Sequence, residues 1–298
     1  MESNEKYVLA LGFFDGVHRG HSALMEMTKR RARELSAEPG VLTFDAHPDT
    51  LVRGVEVPLI TNAAGRIDIL NRIYGIEKVV FLHFDDHTMK MAPEDFVLWL
   101  RDDLHAVHLV VGHDFHFGYK GRGNPEFLMR FCKEHGMGVD VIQKVSIGNF
   151  TISSTYIRQL LQAGDIERAN EFLGHPHTLI DTVRYGYKIG RTIETPTINM
   201  RFPEGVLVPP YGVYATKVVL DDGEHIAVTN VGVRPTFGDS FGVTVESYIL
   251  DFNANLYGRQ VRVEFYRFLR PEMKFDTPEA LKAQIQKDAE DARACFEN

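Results

Sequence analysis

Leu11-Gly-Phe-Phe-Asp-Gly-Val-His-Arg-Gly-His21 is the stretch on which the reading of this chain turns. A short apolar run, residues 7–11, leads into it and is long enough for one buried strand. Residues 22–36 follow, with Ala23, Leu24, Met27, Ala32 and Leu35 in a roughly helical pattern and a basic cluster at 29–33. Strand, glycine-containing loop and helix is the geometry that presents a phosphate to backbone N–H groups at a helix start. Gly12, Gly16 and Gly20 permit a tight turn and a close backbone approach to a ligand. His18 and His21 stand three apart, so a loop that enters the helix near Gly20 lets both rings face one bound group. The plainer readings are a turn with two surface imidazoles, or a metal pair with no evident third ligand.

Outward from this stretch, apolar runs at 7–11, 41–44, 79–82, 107–111 and 139–142 alternate with helical patterns, among them 62–74, 93–104 and 125–134. Such alternation means parallel pairing and a sheet covered on both faces. Sheets of this kind bind ligands at the carboxyl ends of their strands, where the strand order switches. Three more stretches begin where a run ends: Thr43-Phe-Asp-Ala-His-Pro48, Val111-Gly-His-Asp-Phe-His-Phe-Gly118 and Ile152-Ser-Ser-Thr-Tyr-Ile-Arg158. Singly, each has an ordinary explanation. Asp45 and Pro48 suit a turn, Phe115 and Phe117 suit a core, and Ser153 suits a helix cap. At one rim together they suggest an anion site. Ser153, Ser154 and Thr155 offer hydroxyls and N–H groups, and Arg158, one turn on, offers a planar fork for phosphate oxygens.

The pattern changes in the second half. Gly164-Asp165-Ile166 opens a short helix that Gly174 and Pro176 close. Alternating or β-branched segments follow at 178–184, 213–220, 226–233, 243–250 and 261–268, separated by turn signals such as Asp221-Asp222-Gly223. They predict antiparallel β, a small closed barrel, with one helical pattern from Thr277 to about Phe296. The boundary falls near 175–180, giving domains 1–177 and 178–298. Taken alone, Thr197-Ile-Asn199 reads as a turn and Glu246 as a solvated face residue.

Composition narrows the classes. A chain of 298 residues with 44% hydrophobic and 25% charged residues fits two globular domains. No apolar run approaches the ~20 residues of a membrane span, and residues 1–6 are polar, without a signal-peptide core. Cys132 and Cys295 form no spacing pattern, which predicts free thiols and a cytoplasmic location. The net charge of −8 is spread over both halves, so no footprint for nucleic acid or an anionic membrane stands out. A phosphate ligand must be held by a few aimed groups.

The string Phe14-Asp-Gly-Val-His-Arg-Gly-His21 resembles the flavin branch of the nucleotidyltransferase superfamily, the prokaryotic bifunctional riboflavin kinase/FMN adenylyltransferases. The three rim stretches resemble the same family, with Ala46 where a proline is usual. In the second half, residues 190–199, 230–238, 245–252, 256–258 and 269–275 resemble riboflavin kinases. The resemblance implies an N-terminal doubly wound parallel-sheet nucleotidyltransferase domain, followed by a small antiparallel β-barrel kinase-like domain with a C-terminal helix. It implies that His18, His21 and Arg158 act in adenylyl transfer and that Glu246 is the base of the kinase. Gly12, Phe14, Asp15, Gly16, Ser153, Ser154, Thr155, Gly190 and Arg191 would bind nucleotide. Asp45, His47, Pro48, Asp114, Phe115 and Phe117 would help form the flavin pocket, and Thr197 and Asn199 would hold Mg2+. Riboflavin, FMN, FAD and ATP are the implied small-molecule partners, with apo-flavoproteins as acceptors of FAD.

One departure bears on activity. Glu194-Thr195 stands where the family has Gly-Phe, and Asp181 stands where glycine is common. A carboxylate beside a triphosphate opposes binding. The rival readings are an FAD synthetase with a weak or binding-only kinase domain, a non-catalytic flavin- or nucleotide-binding regulator, and a nucleotidyltransferase acting on another phosphate ester.

Overall fold

The computed structural model describes residues 5–47, 50, 54–83, 85–185, 197–233 and 242–297. They form two compact units, one of Met1–Leu59 with Arg66–Ser153 and one of Ile60–Gly65 with Ser154–Asn298.

The first unit is built on β1 (Tyr7–Leu11), whose five residues are all buried. Alternation of side chains sends Leu9 and Leu11 into one core layer with Phe96, Leu109, Val111 and Leu128. It sends Val8 and Ala10 into the other, with Leu24, Met25, Val41, Ile69 and Leu70. A strand apolar on both faces belongs in the centre of a covered parallel sheet. The observed order is β3-β2-β1-β4-β5, with β2 (Glu38–Phe44), β3 (Lys78–Leu82), β4 (Ala106–Gly112) and β5 (Gly138–Ile142). Every pairing is parallel. The chain leaves β1 towards β2 on one side and returns to β4 on the other, so the order switches between β1 and β4. Helices α1 (Arg19–Leu35), α2 (Ala63–Tyr74, from Arg66 on), α3 (Asp86–Lys90), α4 (Pro93–Asp102) and α5 (Pro125–Glu134), and a short antiparallel pair, β6 (Ser146–Ile147) and β7 (Phe150–Thr151), complete this unit. Helix α5 starts where it should: Asn124 accepts from the Phe127 N–H at 2.8 Å and Pro125 occupies its first turn.

Helices α6 (Ser154–Ala163) and α7 (Ile166–Leu173) fall in the second unit, ahead of the sequence-based boundary at 177. Asn170 gives the reason for α7. Its Nδ2 donates to the Phe265 carbonyl at 2.8 Å, and its Oδ1 accepts from the His177 N–H at 2.7 Å. Gly174 ends α7 in the left-handed region, φ 82°, as its position before Pro176 predicts.

The second unit is a six-stranded antiparallel sheet in the order β8-β13-β10-β11-β12-β9. Its strands are β8 (His177–Thr182), β9 (Thr197–Arg201), β10 (Gly212–Leu220), β11 (Gly223–Val233), β12 (Val243–Ile249) and β13 (Gln260–Pro271). The sheet curls until its two edges meet. Arg184 N–H donates to the Asn199 carbonyl at 2.9 Å, and the Asp181 carboxylate accepts from the Arg201 N–H at 2.9 Å. One face carries a buried hydroxyl ladder, with 2.7 Å between the Thr216 and Thr229 oxygens and 2.7 Å between Thr229 and Ser247. The other face packs Val213, Ala215 and Val228 against Ala292 of α8 (Pro278–Ala294). Arg270 clamps that helix through a two-point pair with buried Asp288, at 2.9 and 2.7 Å. The turn read at Thr197–Asn199 is instead the start of β9. Five residues suffice there because β12 supplies the partner strand.

Candidate functional site

The loop after β1 holds an unusual backbone. Phe14 has φ 52° and Val17 φ 38°, beside Gly16 at 76°. A branched residue at positive φ is costly, of order 1–3 kcal/mol, and persists where the surroundings over-determine it. Here they do: Phe14, Asp15, Gly16 and Val17 are all buried. Helix α1 opens at Arg19, three residues ahead of the apolar pattern, and the His21 N–H bonds the His18 carbonyl at 2.7 Å. The two imidazoles therefore stack, centroids 3.6 Å apart and planes 12° apart. Phe14 meets His21 edge-on at 5.1 Å. The Nδ1 of His21 is enclosed and has no hydrogen-bond partner. Burial first, and the neighbouring His18 second, hold its pKa well below the ordinary imidazole value. His21 is thus neutral at pH 7.

The ends of β2 and β3 bring the next groups to this edge. The Asp45 carboxylate meets His83 Nδ1 at 2.5 Å, and that contact raises the His83 pKa. The His47 ring meets the Phe13 ring edge-on at 4.7 Å. Pro48 lies outside the described residues. Past β4, the Asp114 side chain is exposed and Phe115 is half-buried. Phe117 is core, stacked on Phe115 at 5.5 Å and tilted against Phe96 at 5.1 Å. Two backbone bonds pin Phe117 to Gly123, so the glycine-containing segment 121–124 is a turn fixed to the core that leads into α5.

Two residues at this edge were not marked by the sequence. His83 simply follows β3 without a motif. Arg66 is wholly buried, and its Nη1 donates to the Phe13 and Phe44 carbonyls at 3.0 and 2.7 Å and to Thr43 Oγ1 at 2.9 Å. A signal was there: Arg66 stands in phase with Ile69 and Leu70 on the apolar face of α2.

In the second unit, Ser154 opens α6 directly after Ser153, Thr155 follows it, and Arg158 is buried one turn on, beside Ile157 and Leu161. On the antiparallel sheet, Glu246 of β12 lies between Asn199 of β9 and Asn230 of β11. Thr197 lies opposite Tyr248, so Thr197, Asn199 and Glu246 share one face. Among the described residues no group of three His, Cys, Asp or Glu side chains could hold a metal ion. A threonine hydroxyl and an asparagine amide beside a single carboxylate are hard oxygen donors. That set fits Mg2+ held largely by nucleotide phosphates. Gly190, Arg191, Glu194 and Thr195 lie outside the described residues. Asp181 has a structural use: besides the Arg201 N–H it meets Arg184 Nη2 at 3.1 Å.

The FAD synthetase family model matches residues 1–156 and the riboflavin kinase model residues 173–296. A Listeria monocytogenes bifunctional riboflavin kinase/FMN adenylyltransferase is 36% identical, over 97% of this chain and 92% of its own. The chain belongs to that bifunctional family. A Bacillus subtilis member is 34% identical over 100% of this chain and 95% of its own. An Escherichia coli K12 member is 33% identical over 98% and 93%. Among solved structures, a Streptococcus pneumoniae chain described as a macrolide-efflux protein superposes with a TM-score of 0.84 at 30% identity, covering 98% of this chain and 95% of that one. Among the described residues no helix is long and apolar enough to cross a membrane. Family membership gives the stacked histidines and the Asn199–Glu246 pair their context, since each lies within the matching model.

Proposed function

We propose that this chain makes FAD from riboflavin in two steps, each using ATP. The second unit phosphorylates the ribityl 5′-hydroxyl of riboflavin to give FMN and ADP. The parallel-sheet unit transfers AMP from ATP to FMN, giving FAD and pyrophosphate. One observation carries the reading. A stacked imidazole pair, His18 on His21, stands at the carboxyl edge of the parallel sheet, in a chain aligned end to end with relatives named for both activities.

In adenylyl transfer an FMN phosphate oxygen attacks the α-phosphorus and the bond to the β-phosphate oxygen breaks. No protein nucleophile is needed. Catalysis rests on positioning and on donors aimed at developing charge. His18 and His21 take that role. A neutral His21 donates without bringing a cation, and Gly12, Phe14, Asp15 and Gly16 shape the loop around the phosphates. The Ser153-Ser154-Thr155 motif offers hydroxyl and N–H donors, and the Arg158 fork suits a pyrophosphate. Asp45, His47, Asp114 and Phe115 line the flavin side, with Phe117 supporting Phe115 from the core.

In the kinase, Glu246 accepts the proton of the 5′-hydroxyl as its oxygen attacks the γ-phosphorus. Thr197 and Asn199 would hold Mg2+ with the phosphates. The ion would neutralise phosphate charge as the bond to ADP breaks. Asn230, the cross-strand neighbour of Glu246, donates to Glu272 at 3.3 Å and so belongs to the same polar row.

Incubation with riboflavin, ATP and Mg2+, with riboflavin, FMN and FAD separated over time, tests the reading. FMN should appear first and FAD after it. FAD formed from supplied FMN but never from riboflavin would leave only the adenylyltransferase, and formation of neither product would refute both.

A further inference from the structure

The carboxyl ends of β1 and β2 are tied together by one side chain. Arg66 is 0% exposed, the largest wholly buried side chain in the molecule's described residues. Its Nη1 serves three acceptors: the Phe13 carbonyl, the Thr43 hydroxyl and the Phe44 carbonyl. Thr43 passes its own proton to the same Phe13 carbonyl at 2.7 Å. The guanidinium lies 4.9 Å from the Phe13 ring centroid and 5.2 Å from that of Phe81, held between two aromatic faces. Its Nε and Nη2 are buried without a partner. Burial pulls its pKa down, while the carboxylates of Asp15 and Asp45 work against that pull.

This is an expensive way to fill a core. A methionine or leucine would fill comparable space with no ion to desolvate and no N–H left unpaired. What an apolar side chain cannot do is bond two carbonyls on adjacent strand ends at once. Those carbonyls belong to the residues from which the two candidate ligand segments depart. Phe13 leads into Phe14-Asp15-Gly16, and Phe44 leads into Asp45-Ala46-His47. The Phe13 ring under the guanidinium is also the ring that meets His47.

We propose that Arg66 is a positioning residue of the adenylyl-transfer site: it fixes the β1 and β2 strand ends so that Phe13 and His47 form a preset wall for FMN. The inference rests on the proposed adenylyltransferase reading. It touches no substrate and acts through Phe13, Phe44 and Thr43. A preset wall lowers the ordering cost of binding, so its loss falls on KM before kcat.

The test compares wild type, R66M and R66K as full-length chains. KM and kcat are measured for FMN adenylylation, riboflavin phosphorylation is the internal control, and Trp99 fluorescence follows unfolding of the first unit. In R66M the KM for FMN should rise about tenfold or more while kinase turnover stays at the wild-type value and the unfolding midpoint is kept or raised. R66K, which retains a donor for one or two of the acceptors, should fall between. Direct titration of FMN fluorescence should show the same order of affinities. An R66M enzyme with wild-type KM for FMN overturns the proposal. So does a fall in kcat and unfolding midpoint together, with KM unchanged and no recovery in R66K. If R66M does not fold, R66K decides: it must fold and show a raised KM for FMN, and a wild-type KM there overturns the proposal. A wild-type protein that makes no FAD from FMN refutes the underlying reading instead, and is seen before any variant is made.

Discussion

Acid should loosen the second unit through one residue, His177. It is the first residue of β8, 1% exposed, with its ring 5.7 Å from that of Phe265. Neither ring nitrogen has a hydrogen-bond partner. Burial, and then His175, push its pKa from 6.5 down to about 4. The folded chain therefore keeps the ring neutral, while the unfolded chain protonates it below about 6.5. Between these values the unfolded state binds more protons, so the contribution to stability is whole above pH 6.5 and is lost as pH falls towards 4. At about 1.4 kcal/mol per unit, the full loss is ~3 kcal/mol, and ~2 kcal/mol of it is gone by pH 5. His177→Phe removes the titration and keeps the backbone N–H that bonds Asn170 Oδ1. Urea unfolding at pH 7 and pH 5, read by hydrogen exchange of β13 peptides, measures the second unit. The single tryptophan, Trp99, reports the first unit in the same samples. Wild type should lose ~2 kcal/mol more than His177→Phe between the two pH values. Equal losses would show that His177 is protonated, or solvated, in the native barrel and refute the reasoning.

Three further outcomes are expected. Glu246→Gln should lower FMN formation by at least ~10²-fold, the scale of a lost general base. FAD synthesis from supplied FMN should be unchanged, and chromatography of the products decides. His21→Ala should have the converse effect, lowering FAD formation ~10²-fold with riboflavin phosphorylation retained; near-normal FAD turnover would remove His21 from the mechanism. His83 should titrate above 6.5 in an NMR pH series, because Asp45 favours its charged form. The ion pair is present below that raised pKa and dissolves as pH rises through it, and Asp45→Asn should bring the midpoint back towards the ordinary value.

What could be read from the chain was what depends on near neighbours. The five parallel strands are legible because each is a short apolar run bounded by turn residues, and the caps of α5 and α7 are written in Asn124 and Gly174. Features set by distant partners were not. Strand β9 needs β12, some 45 residues on, before Thr197-Ile-Asn199 stops looking like a turn. The place of α7 is fixed by Asn170 reaching Phe265, and nothing in the local sequence announces that bond. Arg66 was hidden by its charge: a guanidinium on an apolar face reads as an interruption until its three acceptors are seen. The histidines were legible as a pair but not as a stack, since the stack depends on helix α1 starting at Arg19.

The opening glycines carry the last lesson, because their use differs from what their spacing suggests. A glycine-rich loop is expected to put its glycines where φ is positive. Here only Gly16 of the three does so, at 76°, while Phe14 and Val17 take positive φ themselves. Gly12 and Gly20 serve a different need. A Cβ at 12 would come within 2.8 Å of the Phe14 ring, and one at 20 within 2.9 Å of the His18 ring. Both contacts are too close for any real Cβ, and both involve rings that bear on the imidazole pair: Phe14 abuts His21 and His18 stacks on it. The glycines are thus spacers for aromatic packing. They let Phe14 fold over Gly12 and His18 lie across Gly20, and the resulting enclosure is what desolvates His21 and keeps it neutral. An alanine at either place would press on the ring that sets the charge state of His21, so the spacing of the motif encodes the electrostatics of the site as well as the course of the backbone.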